Sequence, residues 1–233
     1  MGIERVLDEI RNGRIVLVYD FDEREKETDM TIASEFLRVE DLRRMRKDAG
    51  GLVCTTTPYE RAKALGLPFM ADIYADDSAK YPLMAAMAPT DIPYDGTKSS
   101  FGVTVNHRKT YTGITDADRT LTINEYARII FQEKDDKSIM EDLGRNFRAP
   151  GHVHLLNASE RILTTRRGHT ELCTALMIMA GVKPSATICE MLGNNGGSET
   201  KENTMAYAER EGLAFITGDE VISAWELFRK SKE

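Results

Sequence analysis

The stretch RIVLVYDFDEREKETDM (Arg14 to Met30) decides how the chain is read. Ile15 to Tyr19 form a continuous apolar run, which fits a buried strand. Six acidic residues then fall in ten positions, from Asp20 to Asp29. Charge of that density repels itself unless a cation or basic groups offset it, and a solvated acidic loop is the bland alternative. In extended chain, side chains alternate, so Glu23, Glu25, Glu27 and Asp29 would point one way. Four converging carboxylates suit a hard divalent cation such as Mg²⁺, with oxygen ligands and retained waters. Arg24 would then point the opposite way, so a site using both Arg24 and Glu25 needs a bent loop.

Outward from this stretch, strands and helices alternate. Ile3, Val6, Leu7 and Ile10 mark one helical face that ends near Asn12-Gly13. MTIASEFL can pair with the first strand. VEDLRRMRKDAGG reads as a helix stopped by two glycines, LVCTTT as a strand, and PYERAKALG as a short helix with Pro58 in its first turn. Residues 72 to 100 carry three of the seven prolines without clean periodicity, a long, partly ordered excursion. FGVTVNH alternates, with Phe101, Val103 and Val105 expected on one face. Thr122 and Glu125 are expected to cap the helix INEYARIIF. GHVHLL, SATICEML and LAFIT read as strands. HTELCTALMIMAG is a buried helix with Gly181 past its end, ETKENTMAYAEREG another helix, and Thr217 with Glu220 caps a last helix, EVISAWELFRK. The fold class is therefore α/β (α+β), a mixed β-sheet flanked by helices, with residues 1–233 forming a single domain.

Composition narrows the functions. The chain has 233 residues, 30% of them charged, and a net charge of −7. That balance argues against general nucleic-acid binding, which needs a basic face, but leaves room for a local basic pocket. Three dispersed cysteines, Cys54, Cys173 and Cys189, suggest neither disulfides nor structural zinc. The start MGIERVLDEI has no apolar signal core, and no apolar run reaches membrane-spanning length. The expected location is the cytoplasm. GxGxxG and P-loop motifs are both lacking.

Polar chemistry concentrates elsewhere too. His152 (PGHV) and His169 (RRGHT) each follow a glycine. RRGHTE supplies arginines, a glycine and a threonine where a helix begins, a pattern suited to phosphate or to a capped surface turn. His107 and His154 take the structural reading of a lone histidine. Glu190 sits inside the apolar run SATICEML, where a carboxylate is costly unless paired, functional or facing water at an edge.

Six motifs, DEREKETDM, DAGGLVC, TGITDADR, RAPGHV, RRGHTE and ICEM, occur in register from about residue 14 to 220. Together they resemble the 3,4-dihydroxy-2-butanone 4-phosphate synthase family of riboflavin biosynthesis, especially its archaeal form. The resemblance implies conversion of D-ribulose 5-phosphate to 3,4-dihydroxy-2-butanone 4-phosphate and formate by a Mg²⁺- or Mn²⁺-dependent lyase. Two ions per site and a homodimer are implied with it. Glu25 and His169 would be metal ligands. Arg24, Asp29, Arg166, Arg167, Gly168, Thr170 and Glu190 would contact substrate, together with Glu25 and His169. His152 and Glu190 look catalytic, with Glu27, Asp20, Cys54 and Thr112 near the site. Lys26 stands where relatives commonly carry a small or neutral residue. GNNGGSETK departs from the family's wording, so no residue is carried over from it. Some relatives continue into a GTP cyclohydrolase II domain, and this chain is expected to be monofunctional.

The implied chemistry explains the residue types. Removal of a proton beside the ketone gives an enediol, water leaves, the skeleton rearranges and formate departs. Charge builds on neighbouring oxygens, which a divalent ion can stabilise. The proton transfers need groups of different pKa. Two rivals use the same features. A metal-dependent sugar-phosphate isomerase or aldolase would release no formate, and a phosphosugar-binding protein would not turn over.

Overall fold

The amphipathic start folds as its periodicity predicts. α1 (Ile3–Arg11) buries Val6, Leu7 and Ile10, and the chain then turns into β1 (Val16–Tyr19). The computed structural model describes residues 2–76, 80–87 and 92–232. β2 (Thr28–Ala33) returns antiparallel to β1, with Val18 opposite Asp29. α2 (Val39–Arg44) widens over Met45–Ala49 and ends at Gly50, whose φ of +87° is left-handed. β3 (Cys54–Thr57) and α3 (Tyr59–Ala64) follow, with Pro58 at the helix start.

The excursion at 72 to 100 is partly helical, with α4 (Met70–Asp76) and α5 (Pro82–Met87). Its residues 77–79 and 88–91 lie outside the described residues. Beyond it come β4 (Phe101–His107), α6 (Asp116–Ile130), α7 (Asp136–Asn146) and β5 (Phe147–Asn157). The chain finishes with α8 (His169–Ala180), β6 (Ala186–Glu190), α9 (Lys201–Glu211), β7 (Ala214–Thr217) and α10 (Gly218–Lys230).

All seven strands form one sheet in the order β4-β5-β3-β6-β2-β1-β7. β3 pairs parallel with β5 and β1 with β7, and the other neighbours are antiparallel. This is the mixed sheet that the alternating pattern implied. Each strand sends alternate side chains to two cores. Val16, Val18, Cys54, Ile188 and Ile216 pack under α1, α8 and α10. Leu17, Met30, Ile32, Val153 and Cys189 pack under α2, α6, α7 and α9. α8 is buried along nearly its whole length because it touches the sheet on one side and α1 and α10 on the other. Burying one such Leu or Met side chain contributes about 1.5–3 kcal/mol.

Two expectations need correction, and one helix is additional to them. β4 is bulged between Phe101 and Thr104 and again after Val105. Phe101 is therefore exposed against His154, while Val103 and Val105 face the other core. Thr122 does not begin a helix. α6 starts six residues earlier, where the Thr115 hydroxyl accepts from Asp118 N–H; Thr122 is buried mid-helix and accepts from His107 N–H. α7 has no counterpart in the sequence pattern above, although Asp135 caps it by accepting from Ser138 N–H. Among the described residues, no helix is long and apolar enough to cross a membrane.

Candidate active site

Asp20 shapes the acidic segment. It is fully buried, and its Oδ2 accepts from Glu25 N–H at 2.9 Å while Oδ1 accepts from Glu27 N–H at 3.0 Å. Arg24 Nη1 donates to Oδ2 at 3.2 Å. Lys26, between them, takes a left-handed φ of +59°. The chain from Asp20 to Glu27 is thus a bent loop, and the strand resumes only at Thr28. Simple alternation fails as a result. Glu23 faces solvent, whereas Arg24, Glu25, Glu27 and Asp29 all line one cavity of about 620 Å³.

The opposite wall comes from α8 and β6. Gly168 precedes α8, which begins at His169. His169 Nδ1 lies 3.1 Å from Glu25 Oε2, and its Nε2 lies 3.8 Å from Asp29 Oδ1. Both His169 Nε2 and Asp29 Oδ1 are buried without a hydrogen-bond partner. Glu190 ends β6 directly opposite Asp29, and its Oε2 accepts from Leu52 N–H at 2.8 Å. Gly51 makes this possible, since a Cβ there would collide with the Glu190 side chain and carbonyl.

Burial and neighbours drive these acids apart in strength. Burial opposes ionisation of Glu25, but His169 and Arg24 outweigh it and hold its carboxyl down at about 2. Burial pushes Glu27 up, with the charges of Glu25 and Glu190 adding and the Ser198 hydroxyl opposing. Asp29 is raised well above the usual carboxylate range, first by burial and then by Glu190, Glu25 and Glu27, against the pull of His169. Burial disfavours a charged His169, yet Asp29, Glu25 and Asp20 hold it up at about 10.

A second cluster marks the cationic end of the cavity. Arg166 Nη1 donates to Glu171 Oε2 at 2.8 Å. Glu171 is fully buried and also accepts from Ser159 N–H. Tyr94 lies over the Arg24 guanidinium, 5.2 Å from charge to ring centre. Thr170 lines the cavity one residue past His169.

The remaining candidates stand outside the cavity of a single chain. Arg167 points to solvent. Cys54 lies behind the cavity in β3, where burial with the charges of Glu190 and Asp29 pushes its thiol well above the usual range. Asp20 belongs to the loop's framework. His152 is exposed on β5 and accepts or donates at Asn106, whose amide also reaches the Thr112 carbonyl. Both sit on the β4–β5 side of the sheet. Glu171, Ser198, Tyr94, Asp95 and Asn106 were missed as site residues. Glu171 alone had a local signal, as the last letter of RRGHTE.

The family model for 3,4-dihydroxy-2-butanone 4-phosphate synthase matches residues 4–224. The chain belongs to that family. It is 47% identical over 228 residues to the 3,4-dihydroxy-2-butanone 4-phosphate synthase of Methanothermobacter thermautotrophicus, covering 97% of each chain. It is similar, with TM-score 0.75 and 27% identity, to a solved 3,4-dihydroxy-2-butanone 4-phosphate synthase in complex with two magnesium ions, covering 97% of each. A two-domain 3,4-dihydroxy-2-butanone 4-phosphate synthase from A. baumannii is similar with TM-score 0.74 and 28% identity, and the chain spans 57% of its length. Against this 3,4-dihydroxy-2-butanone 4-phosphate synthase background, the donor set fits a hard divalent cation. Asp20, Glu25 and His169 each offer an atom within 4.8 Å of the others, and the buried Asp29 Oδ1, without a hydrogen-bond partner, lies 3.8 Å from His169 Nε2.

Proposed function

We propose that the chain is a lyase that converts D-ribulose 5-phosphate to 3,4-dihydroxy-2-butanone 4-phosphate and formate in riboflavin biosynthesis. One observation carries the reading. A single cavity joins paired guanidiniums, Arg24 and Arg166, to a carboxylate–imidazole cluster whose Asp29 Oδ1 and His169 Nε2 have no partner. A phosphorylated sugar needs both ends, one to hold the anion and one to move protons.

Glu25 and His169, the imidazole having given up its proton, would hold Mg²⁺ or Mn²⁺, with two ions per site. The bound metal supplies charge stabilisation for oxygens that become negative during the reaction. Arg166 and Arg24 orient the phosphate, and Thr170 adds a hydroxyl beside the start of α8. Glu25 stays ionised. Glu27 and Asp29, held at different strengths, are suited to carrying protons to and from the sugar, and Glu190 faces them across the β2–β6 pair. Glu190 therefore fits a proton-transfer role beside the reacting carbons.

His152 shares a face of the sheet with Glu190. The path runs from Glu190 to Ile188, paired with Cys54, and so to His154 and His152. With β3 between them, two strand spacings put them about 10 Å apart. Leu52, Phe101 and Tyr111 are exposed in the single chain. A homodimer that covers this surface would bring His152 and Thr112 to the edge of a substrate site. Residues 1–233 would act as one catalytic domain in the cytoplasm.

Formate measured on incubation with ribulose 5-phosphate and Mg²⁺ is the deciding test. An isomerase or aldolase would consume the sugar without formate, and a binding protein would leave it intact. Light scattering that gave one chain per particle under active conditions would remove the dimer.

A further inference from the structure

Asp95 sits where an anion belongs. Its Oδ2 accepts from Arg24 Nη2 at 3.0 Å and lies 2.9 Å from Arg166 Nε. The two guanidiniums converge over Gly168, where any Cβ would collide with both. We propose that Asp95 is an intramolecular stand-in for the substrate's phosphate, which must displace it to bind. This rests on the reading of Arg24 and Arg166 as the phosphate seat.

The charges support displacement. Four carboxylates contact these two cations: Asp20, Glu25, Asp95 and Glu171. The seat therefore has no spare positive charge while all four remain. Asp20 is tied to two loop N–H groups, Glu171 to Ser159 N–H, and Glu25 to His169. Asp95 is different. Its other oxygen bonds only Thr97, two residues away, in a segment without helix or strand. It can leave with its own turn and without opening the core.

Asp95 is also an imperfect partner. Arg166 Nε is buried and lacks a hydrogen bond, although the Asp95 oxygen is near, because the direction is poor. One carboxylate oxygen is shared between two guanidiniums. A phosphate has three terminal oxygens and up to two charges, so it can serve both forks at once. A neutral sugar offers no charge to exchange for the carboxylate. Asp95 thus makes the site selective for phosphorylated sugars.

The test is calorimetric titration of inorganic phosphate into the full chain, with Asp95→Asn, Asp95→Ala and Arg166→Ala beside wild type. Asn keeps the Thr97-facing oxygen, and Ala removes the side chain without placing an amide against the arginines. Both Asp95 variants should bind phosphate on the order of ten-fold more tightly, the scale of one charge-assisted contact. Their KM for ribulose 5-phosphate should fall without a rise in kcat. Arg166→Ala should weaken phosphate. Equal or weaker phosphate binding in both Asp95 variants, with Arg166→Ala still damaging, would overturn the stand-in role alone. Phosphate binding indifferent to Arg166→Ala would overturn the phosphate seat and the proposal with it.

Discussion

His169 Nδ1 stands 3.1 Å from Glu25 Oε2, although 144 residues separate them in the chain. The contact joins the bent acidic loop to the first residue of α8. Glu25→Gln keeps the shape but removes the charge that a divalent cation needs. The expected loss of turnover is on the order of 100-fold or more, since metal stabilisation is worth several kcal/mol. Glu23→Gln, on the solvent side, should stay active. Thermal melts with and without Mg²⁺ separate binding from folding. Mg²⁺ should raise the melting temperature of wild type and Glu23→Gln, and not that of Glu25→Gln.

Arg166 and Arg167 are neighbours with opposite surroundings. Arg166 is anchored by Glu171 and lines the cavity, while Arg167 is exposed. Arg166→Lys should recover only part of the affinity lost in Arg166→Ala, because an ammonium cannot reproduce the guanidinium fork. The loss in Arg166→Ala is expected to be roughly 10- to 150-fold for a phosphorylated inhibitor. Arg167→Ala should cost little. A larger effect at Arg167 would mean that the seat has been placed one residue off.

Glu190 and His152 should act on the chemical step. General acid–base groups contribute typically about 10²- to 10⁴-fold. Glu190→Gln and His152→Ala should therefore depress kcat far more than they raise KM. A change confined to KM would make either one a binding group.

His107 offers a pH test away from the site. It is buried edge-on to Phe147, and its Nδ1 accepts from Lys109 N–H. Burial lowers its pKa below the ordinary 6.5. The neutral ring is thus favoured in the folded state. Its contribution is present above pH 6.5 and is lost as pH falls from there towards the folded value. Urea midpoints at pH 7.5 and 5.5 should show a larger acid-induced drop for wild type than for His107→Asn, which keeps an acceptor. Equal drops would exclude His107 as the cause.

Much of this molecule could be read from local pattern. β1 and α8 are legible because one period of apolar residues settles each. The capping box of Thr217 and Glu220 was equally plain and is present. Thr122 and Glu125 have the same spacing, but the helix had already begun at Thr115, so the pair carries no cap. α7 escaped notice because its face buries only Ile139. The site shows the same division. Arg24, Glu25, Asp29, His169 and Glu190 stood out through short motifs and converge in one cavity. The turn that rescues Arg24 for that cavity depends on Asp20 capping two N–H groups, which simple alternation ignores. Asp95 left no mark, since its partners lie 71 residues away in either direction along the chain.

The strand order carries a consequence for biosynthesis. β2 and β3 are consecutive in the chain, yet β6 lies between them in the sheet. A nascent chain that has passed Asn157 can pair β1 with β2 and β3 with β5, but it holds two separate ribbons with a gap. The gap closes only when Ala186–Glu190 leaves the ribosome and meets both halves. Pairing over such separations is slow, because loop-closure entropy must be overcome before contacts form. Until then the inner edges of β2 and β3 stay open to other chains. Refolding yield should therefore fall steeply with protein concentration, and a peptide spanning Ala186–Glu190 would compete for the open slot.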